Sequence, residues 1–335
     1  VTTPQLRRSP NAQVRDHCTA VPTQLRQGRH TSLIPSHQNR AKMNFPSETT
    51  RDAICVTGSP CSESESRPPR SYLVTGGAGF IGSHTCRALL ERGDRVAIVD
   101  EFNNYYDPRI KRANVAALLD EFGEERVVVF EGDIADEEFL DRAFQSARPH
   151  AVCHLAARAG VRPSLEDPQL YVHANVRGTV AVLEAARKHG VRHLVLASSS
   201  SVYGANAKIP FSEADRVDGP CSQYAATKRA LELLAATYTH LYGMSTTALR
   251  FFTVYGPSGR PDMAPFKFID RIARGVPIDQ YGDGSSSRDY TFVTDIVDGV
   301  VRALDRPLGH AVLNLGGGRP TVLRDFIGII AREVG

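Results

Sequence analysis

From residue 71 to about residue 252 the chain alternates two hydrophobic rhythms. Short apolar blocks at 72–75, 95–99, 126–130, 151–155 and 193–197 read as buried strands. Between them, segments near 79–92, 109–122, 136–146, 168–189 and 222–242 carry the apolar spacing of helices. One strand followed by one helix, repeated about every 20 to 25 residues, predicts a parallel sheet covered by helices on both faces. Beyond residue 252 the rhythm weakens around Pro257, Pro261, Pro265 and the loop at 282–285, and a last helix begins near Thr321. The expected organisation is an α/β domain over 71–252 and a smaller substrate-binding lobe over 253–335. That lobe is expected to interleave with the first domain and to be incomplete at its C-terminus.

Residues 1–70 are rich in Ser, Thr, Pro, Gln and Arg without hydrophobic periodicity, and are expected to be a disordered or non-native extension. They hold ten Lys and Arg against five Asp and Glu, a net of +5, so the overall +3 leaves the remainder near −2. A body of that charge carries no nucleic-acid footprint. No apolar run approaches the roughly 18 to 20 residues that span a bilayer, so no membrane partner is expected. Six cysteines (18, 55, 61, 86, 153 and 221) form no Cys-x-x-Cys pair and fall partly in predicted elements. They read as reduced, mostly buried thiols of a cytoplasmic protein, and no metal site is expected. With 41% apolar residues in 335, the chain can build a large core.

The first strand runs into Gly76-Gly77-Ala78-Gly79-Phe80-Ile81-Gly82, directly before a helix. Strand, glycine turn and helix together make a dinucleotide site: glycine permits the tight turn, the close approach of backbone to pyrophosphate and the packing of helix on strand. Two spacings fit, Gly77/Gly79/Gly82 and Gly76/Gly79/Gly82. The second strand ends in Asp100, where an acid meets the adenosine ribose and repels a 2′-phosphate, so NAD is expected rather than NADP. Asp133, after the third strand, either reaches the adenine or is a plain loop acid. Ala156 and Ala157, after the fourth, would let a cofactor lie close to the strand end.

Tyr224 and Lys228 stand four residues apart, hence side by side on one helix face. A free phenol titrates near 10, and a neighbouring ammonium favours its phenolate, which makes the pair a proton acceptor for a sugar hydroxyl. Upstream, the fifth strand ends in the hydroxyl-rich loop Ser198-Ser199-Ser200-Ser201, at the sheet edge where ligands bind in such folds.

These motifs come in the order found in the extended short-chain dehydrogenase/reductase family, whose NAD-dependent nucleotide-sugar epimerases the chain resembles. Within that family it most resembles the UDP-glucuronate 4-epimerases. The likeness is carried by Val74-Thr-Gly-Gly-Ala-Gly-Phe-Ile-Gly-Ser-His84, Asn103-Asn-Tyr-Tyr-Asp-Pro108 and His154-Leu-Ala-Ala-Arg-Ala-Gly-Val-Arg162. It extends through 198–204 and Leu249-Arg-Phe-Phe-Thr-Val-Tyr-Gly-Pro-Ser-Gly-Arg-Pro-Asp-Met-Ala264, and covers about 71–335. The resemblance implies a Rossmann-type, doubly wound parallel sheet with a smaller C-terminal lobe, and a homodimer paired through the helices near 168–189 and 222–242.

It also implies roles. Ser199 would hydrogen-bond the sugar O4, Tyr224 act as acid and base, and Lys228 hold the nicotinamide ribose while depressing the tyrosine pKa. Gly76, Gly79, Phe80, Ile81, Gly82, Asp100, Asn103, Asp133, Ile134, Leu155, Ala156 and Ala157 would contact the cofactor, with Asn175 counted among them as an ordering group behind the site, the alternative being an N-cap or core hydrogen bond. Ser200, Ser201, Thr253, Arg260 and Arg288 would meet the UDP-sugar, Thr253 and Arg260 gripping a uronate carboxylate and Arg288 the diphosphate.

The implied reaction is 4-epimerisation of UDP-glucuronate to UDP-galacturonate through a 4-keto sugar. Relatives that dehydrate or decarboxylate such an intermediate carry a carboxylate where this chain has Ser200 and Ser201, so simple epimerisation is favoured. A 4-keto uronate is a β-keto acid and loses CO₂ when its carboxylate bond aligns with the carbonyl π system, a hazard that Arg260 and Thr253 would restrain. Two other readings stay open: a UDP-glucose or UDP-hexose 4-epimerase, and an NAD-binding protein without turnover. Arg158, where the family more often has an uncharged amide, has no assigned effect.

Overall fold

In the computed structural model, residues 67–280 and 282–335 are described; the expectation for residues 1–66 lies outside them. β1 (Ser71–Thr75) runs through the glycine turn into α1 (Phe80–Glu91), and β2 (Arg95–Asp100), α2 (Pro108–Phe122), β3 (Val127–Glu131), α3 (Glu137–Ala147) and β4 (Ala151–His154) continue the alternation. Then come α4 (Pro163–Glu166), α5 (Pro168–Val172), a π-helical turn (His173–Arg177), α6 (Gly178–Lys188), β5 (His193–Ser199), a 3₁₀ turn (Ser200–Tyr203), α7 (Gln223–Tyr242) and β6 (Ser245–Phe251).

Local sequence signals set several of these ends. Asp107 and Asp136 accept the N–H groups of Arg109 and Phe139 at the starts of α2 and α3. Ser222 accepts that of Ala225 at the start of α7, and Gly243 closes α7 in the left-handed region at φ 63°. The helix expected over 168–189 begins at Pro168, capped by Asp167, and continues to Lys188, widened by the π-helical turn between α5 and α6. An apolar pattern of helical period does not register such an insertion.

After β6 the chain adds β7 (Thr253–Tyr255), α8 (Ala264–Ala273), β8 (Ser287–Phe292), α9 (Val293–Asp305), β9 (His310–Leu315), β10 (Pro320–Val322) and α10 (Leu323–Val334). Seven strands form one sheet in the order β3-β2-β1-β4-β5-β6-β9, every pair parallel. The strand order reverses its direction of growth between β1 and β4, which opens a crevice at their carboxyl ends. Alternate strand residues feed two cores: Tyr72, Val74, Val96 and Ile98 pack on one face with α1, α2 and α9, and Leu73, Ala97, Val99 and Leu194 on the other with α3, α6 and α7.

The carboxyl-terminal third serves both units. α9 and β9 complete the large sheet, while β10-β8-β7 form a three-stranded sheet with one antiparallel and one parallel pair. Beside it Phe268 of α8, Ile278 and Ile330 of α10 make a small core of their own, and Phe326 stacks on Tyr290 at 3.9 Å. No helix among the described residues is long and apolar enough to cross a membrane.

Candidate active site

A cavity of about 640 Å³ opens at the carboxyl ends of β1, β2, β4, β5 and β6 and is roofed by residues of the smaller lobe. Gly76, at φ +69°, lines it so closely to β4 that a Cβ there would stand 2.7 Å from the Ala156 nitrogen. A Cβ on Gly82 would meet the Gly76 carbonyl at 2.1 Å. Gly77 instead packs against Ile98, so the 76/79/82 spacing is the one built around the cavity.

No side chain caps α1, whose first residues Phe80, Ile81 and Gly82 line the cavity. Its unpaired N–H groups and helix dipole therefore face the space where an anion would lie. Asp100, almost fully buried, accepts the Phe102 and Ala78 N–H groups at 3.0 and 3.3 Å, and the Lys111 ammonium stands 3.8 Å away. Four lone-pair sites leave such a carboxylate able to accept further bonds from hydroxyls. Asn103, Asp133, Ile134, Leu155, Ala156 and Ala157 complete this half of the wall. Asp133 is held by His173 Nε2 at 2.7 Å; burial raises its pKa, but the His173 and Ala135 hydrogen bonds outweigh that and leave it below the ordinary range. These groups fit a dinucleotide: a glycine cradle, uncapped amides for the diphosphate and a carboxylate for the ribose.

Asn175, counted with the cofactor contacts as an ordering group behind the site, does not line the cavity but stands buried behind it, holding the Arg158 backbone from both sides (N–H to Oδ1 2.7 Å, Nδ2 to O 2.9 Å) and donating to Thr227 at 3.0 Å. Its amide braces the wall where the π-helical turn projects it. Arg158 lines the cavity and pairs with Glu101 at 3.1 Å, bridging the loops after β2 and β4.

The other half gathers Ser199, Ser200, Ser201, Tyr224, Lys228, Thr253, Arg260 and Arg288 around one space. Ser199 ends β5 and accepts the Ser201 N–H at 3.2 Å, which curls the serine loop into its 3₁₀ turn. Tyr224 occupies the first turn of α7; the ring of Tyr171, anchored by its hydroxyl to Ala159 O at 2.8 Å, meets it edge-on at 6.3 Å. Lys228, one turn further, donates to Ala197 O at 2.7 Å, and burial lowers its pKa to about 8.

The expected electrostatics of the Tyr–Lys pair need correcting. Burial pushes the Tyr224 phenol above its ordinary value, and the groups that pull it back are Ser199, by hydrogen bonding, and Arg260, by charge. The ammonium of Lys228 is engaged by the β5 carbonyl instead. Spacing on a helix reveals proximity but not what else competes for a charge.

Two acidic side chains that matter here, Asp262 and Glu232, were not singled out in the sequence. Arg260 is gripped by Asp262 (Nε to Oδ1 2.9 Å, Nη2 to Oδ2 2.5 Å) and lies over the ring of Tyr105 at 5.2 Å. Burial raises the Asp262 pKa, yet the Arg260 contacts prevail and hold it below the ordinary range, so it is no free acid. Glu232, on the same α7 face two turns beyond Tyr224, binds Ser198 Oγ at 2.6 Å and Arg250 through two bonds of 2.8 and 2.9 Å, in the buried layer behind the serine loop. An i, i+4, i+8 count from Tyr224 would have found Glu232.

Residues 72–316 match the model of the NAD dependent epimerase/dehydratase family. Over 283 residues the chain is 47% identical to a probable UDP-glucuronate 4-epimerase of Rhizobium meliloti, covering 79% of this chain and 82% of that protein. It is 47% identical over 281 residues to UDP-glucuronate 4-epimerase 4 of Arabidopsis thaliana, covering 79% of this chain but 63% of that longer protein. Among solved structures, MoeE5 in complex with UDP-glucuronic acid and NAD superposes with a TM-score of 0.68 at 36% identity, covering 78% of this chain and 82% of that one.

Proposed function

Because this chain belongs to the NAD dependent epimerase/dehydratase family, we propose that it is an isomerase that inverts C4 of a UDP-sugar, converting UDP-glucuronate to UDP-galacturonate with bound NAD. The observation that carries the reading is one continuous cavity whose cofactor half holds the glycine cradle and Asp100, and whose other half brings Ser199, Tyr224 and Arg260 together. Relatives named UDP-glucuronate 4-epimerase, close to half identical over most of the chain, support the sugar.

Gly76, Gly79, Gly82, Asp100 and Lys228 would hold the dinucleotide, which when bound supplies a reversible hydride acceptor for C4. Tyr224 takes the C4 hydroxyl proton as the 4-keto sugar forms and gives it back when the other epimer is made. Ser199 holds the oxygen at C4, and with Arg260 it lowers the cost of the phenolate that burial opposes. Ser200, Ser201 and Thr253 supply hydroxyls around the sugar, and Arg288 a cation for the diphosphate.

A neutral hexose is favoured by one observation, since Asp262 already neutralises Arg260. Incubating the NAD-loaded chain separately with UDP-glucuronate and UDP-glucose, and separating the sugar nucleotides, decides between them. UDP-galacturonate from the first and far less product from the second is expected. Turnover of UDP-glucose alone would replace the uronate by a hexose, and no product from either would leave a cofactor-binding protein.

A further inference from the structure

A guanidinium offers carboxylates two forks, the side-on pair of Nε and Nη2 and the end-on pair of Nη1 and Nη2. In Arg260 the side-on fork is filled by Asp262. Tyr105, carried on the loop after β2, reaches across the cavity: its ring lies against the guanidinium, its hydroxyl donates to Asp262 Oδ2 at 3.3 Å, and it accepts weakly from Nη2 at 3.4 Å. Gly160, at φ +105°, leaves room for that hydroxyl, which a Cβ would meet at 2.8 Å. Among the described residues Nη1 has no hydrogen-bond partner. Arg260 lines the cavity, and its charge reaches the Tyr224 phenol.

We propose that Asp262 is a positioning residue for substrate choice: by occupying the side-on fork of Arg260 it turns the end-on edge toward the cavity, as a fixed dock for a carboxylate on the sugar ring. The inference rests on the uronate reading above and resolves its apparent difficulty. A bare arginine attracts a uronate by charge at any angle. At some angles the C5–C6 bond lines up with the C4 carbonyl, its electron pair passes into that π system, CO₂ departs, and the resulting enolate takes a proton at C5. Pairing with Asp262 removes most of the undirected attraction and leaves N–H groups that accept the carboxylate in one orientation. The device trades affinity for angle, which a surface salt bridge of the same length would not do.

The test uses the full chain loaded with NAD and the Asp262→Asn variant, which keeps the shape and one acceptor but loses the charge. UDP-glucuronate is expected to show a KM no higher than the parent's, a kcat for the galacto epimer lowered about tenfold or more, and a fraction of turnovers ending as UDP-pentose raised about tenfold or more. Calorimetric affinity for UDP is expected to stay unchanged, which certifies the folded site. In an Arg260→Ala background the same substitution is expected to add nothing, because Asp262 acts through Arg260. An Asp262→Asn enzyme with parental epimer rate and no extra pentose overturns the proposal, as does an equal further loss in the Arg260→Ala background. If Asp262→Asn fails to bind UDP, Tyr105→Phe serves instead: it frees one side of Asp262, and a pentose fraction raised at least about twofold supports the role while an unchanged fraction overturns it. A parent that converts only UDP-glucose would sink the uronate reading itself, whereas a uronate-selective parent with an indifferent Asp262→Asn sinks only the role of Asp262.

Discussion

At the scale of single residues, function concentrates in a few polar groups whose environment differs from what their identities suggest. Burial pushes the Tyr224 phenol above its ordinary pKa, and Ser199 and Arg260 pull it back. In the proposed reaction Tyr224 would depend on its placement against the sugar hydroxyl more than on being ionised beforehand. Replacing Tyr224 by Phe removes the proton carrier and leaves the ring that Tyr171 meets edge-on. Exchange between C4 epimers is expected to fall by about 10²- to 10⁴-fold, while the NAD content of the purified protein, measured after denaturation, stays at the parental level. Activity within a few-fold of the parent would remove Tyr224 from the reaction.

At the scale of elements, α7 does more than present Tyr224 and Lys228. Its Ser222 cap fixes where the helix starts, and two turns later Glu232 ties it to β5 through Ser198 and to β6 through Arg250. Arg250 also donates to the Tyr203 hydroxyl at 3.0 Å, which in turn donates to Asn314 of β9 at 2.7 Å, so one buried network registers a helix against three strands and the 3₁₀ turn of the serine loop. Glu232→Gln strands a buried guanidinium charge. The expected loss is about 3–5 kcal/mol of stability, the range for breaking a buried pair by removing one partner, read as a lowered urea midpoint with an unchanged slope. A midpoint equal to the parent's would show that Arg250 finds other partners.

At the scale of the whole molecule, the protonation of a buried strand residue couples folding to pH. His154 of β4 sits between Thr75 and Thr179 at 2.8 and 3.0 Å, and burial, aided by the Lys228 charge, lowers its pKa to about 3. The unfolded chain binds a proton there near 6.5 and the folded one does not. Stability from this group is therefore complete above about pH 6.5 and is lost as pH falls toward 3, by up to about 1.4 kcal/mol per unit. The imidazole of His310, also lowered by burial, adds to the same limb. Denaturant melts between pH 7 and 5 are expected to show this decline, and His154→Gln to flatten it. An equal slope in both proteins would place the coupling elsewhere.

The amino-acid sequence by itself determined the alternation that makes the large sheet, the helix starts at Asp107, Asp136 and Ser222, and the glycine turn and strand-end residues of the cavity wall. These are local: an apolar period, a capping side chain or a glycine turn acts within a few residues of its own position. It left the later part of the chain irregular because α9 and β9 are held by strands and helices far away in sequence, with β9 pairing with β6. The hydrogen bonds by which Asn175 holds the Arg158 backbone, the engagement of Lys228 by Ala197 and the pairing of Arg260 with Asp262 and Tyr105 were decided by the tertiary structure alone. Each is a competition among partners for one charge or one amide, and which partner wins depends on distances that exist only once the two lobes are folded.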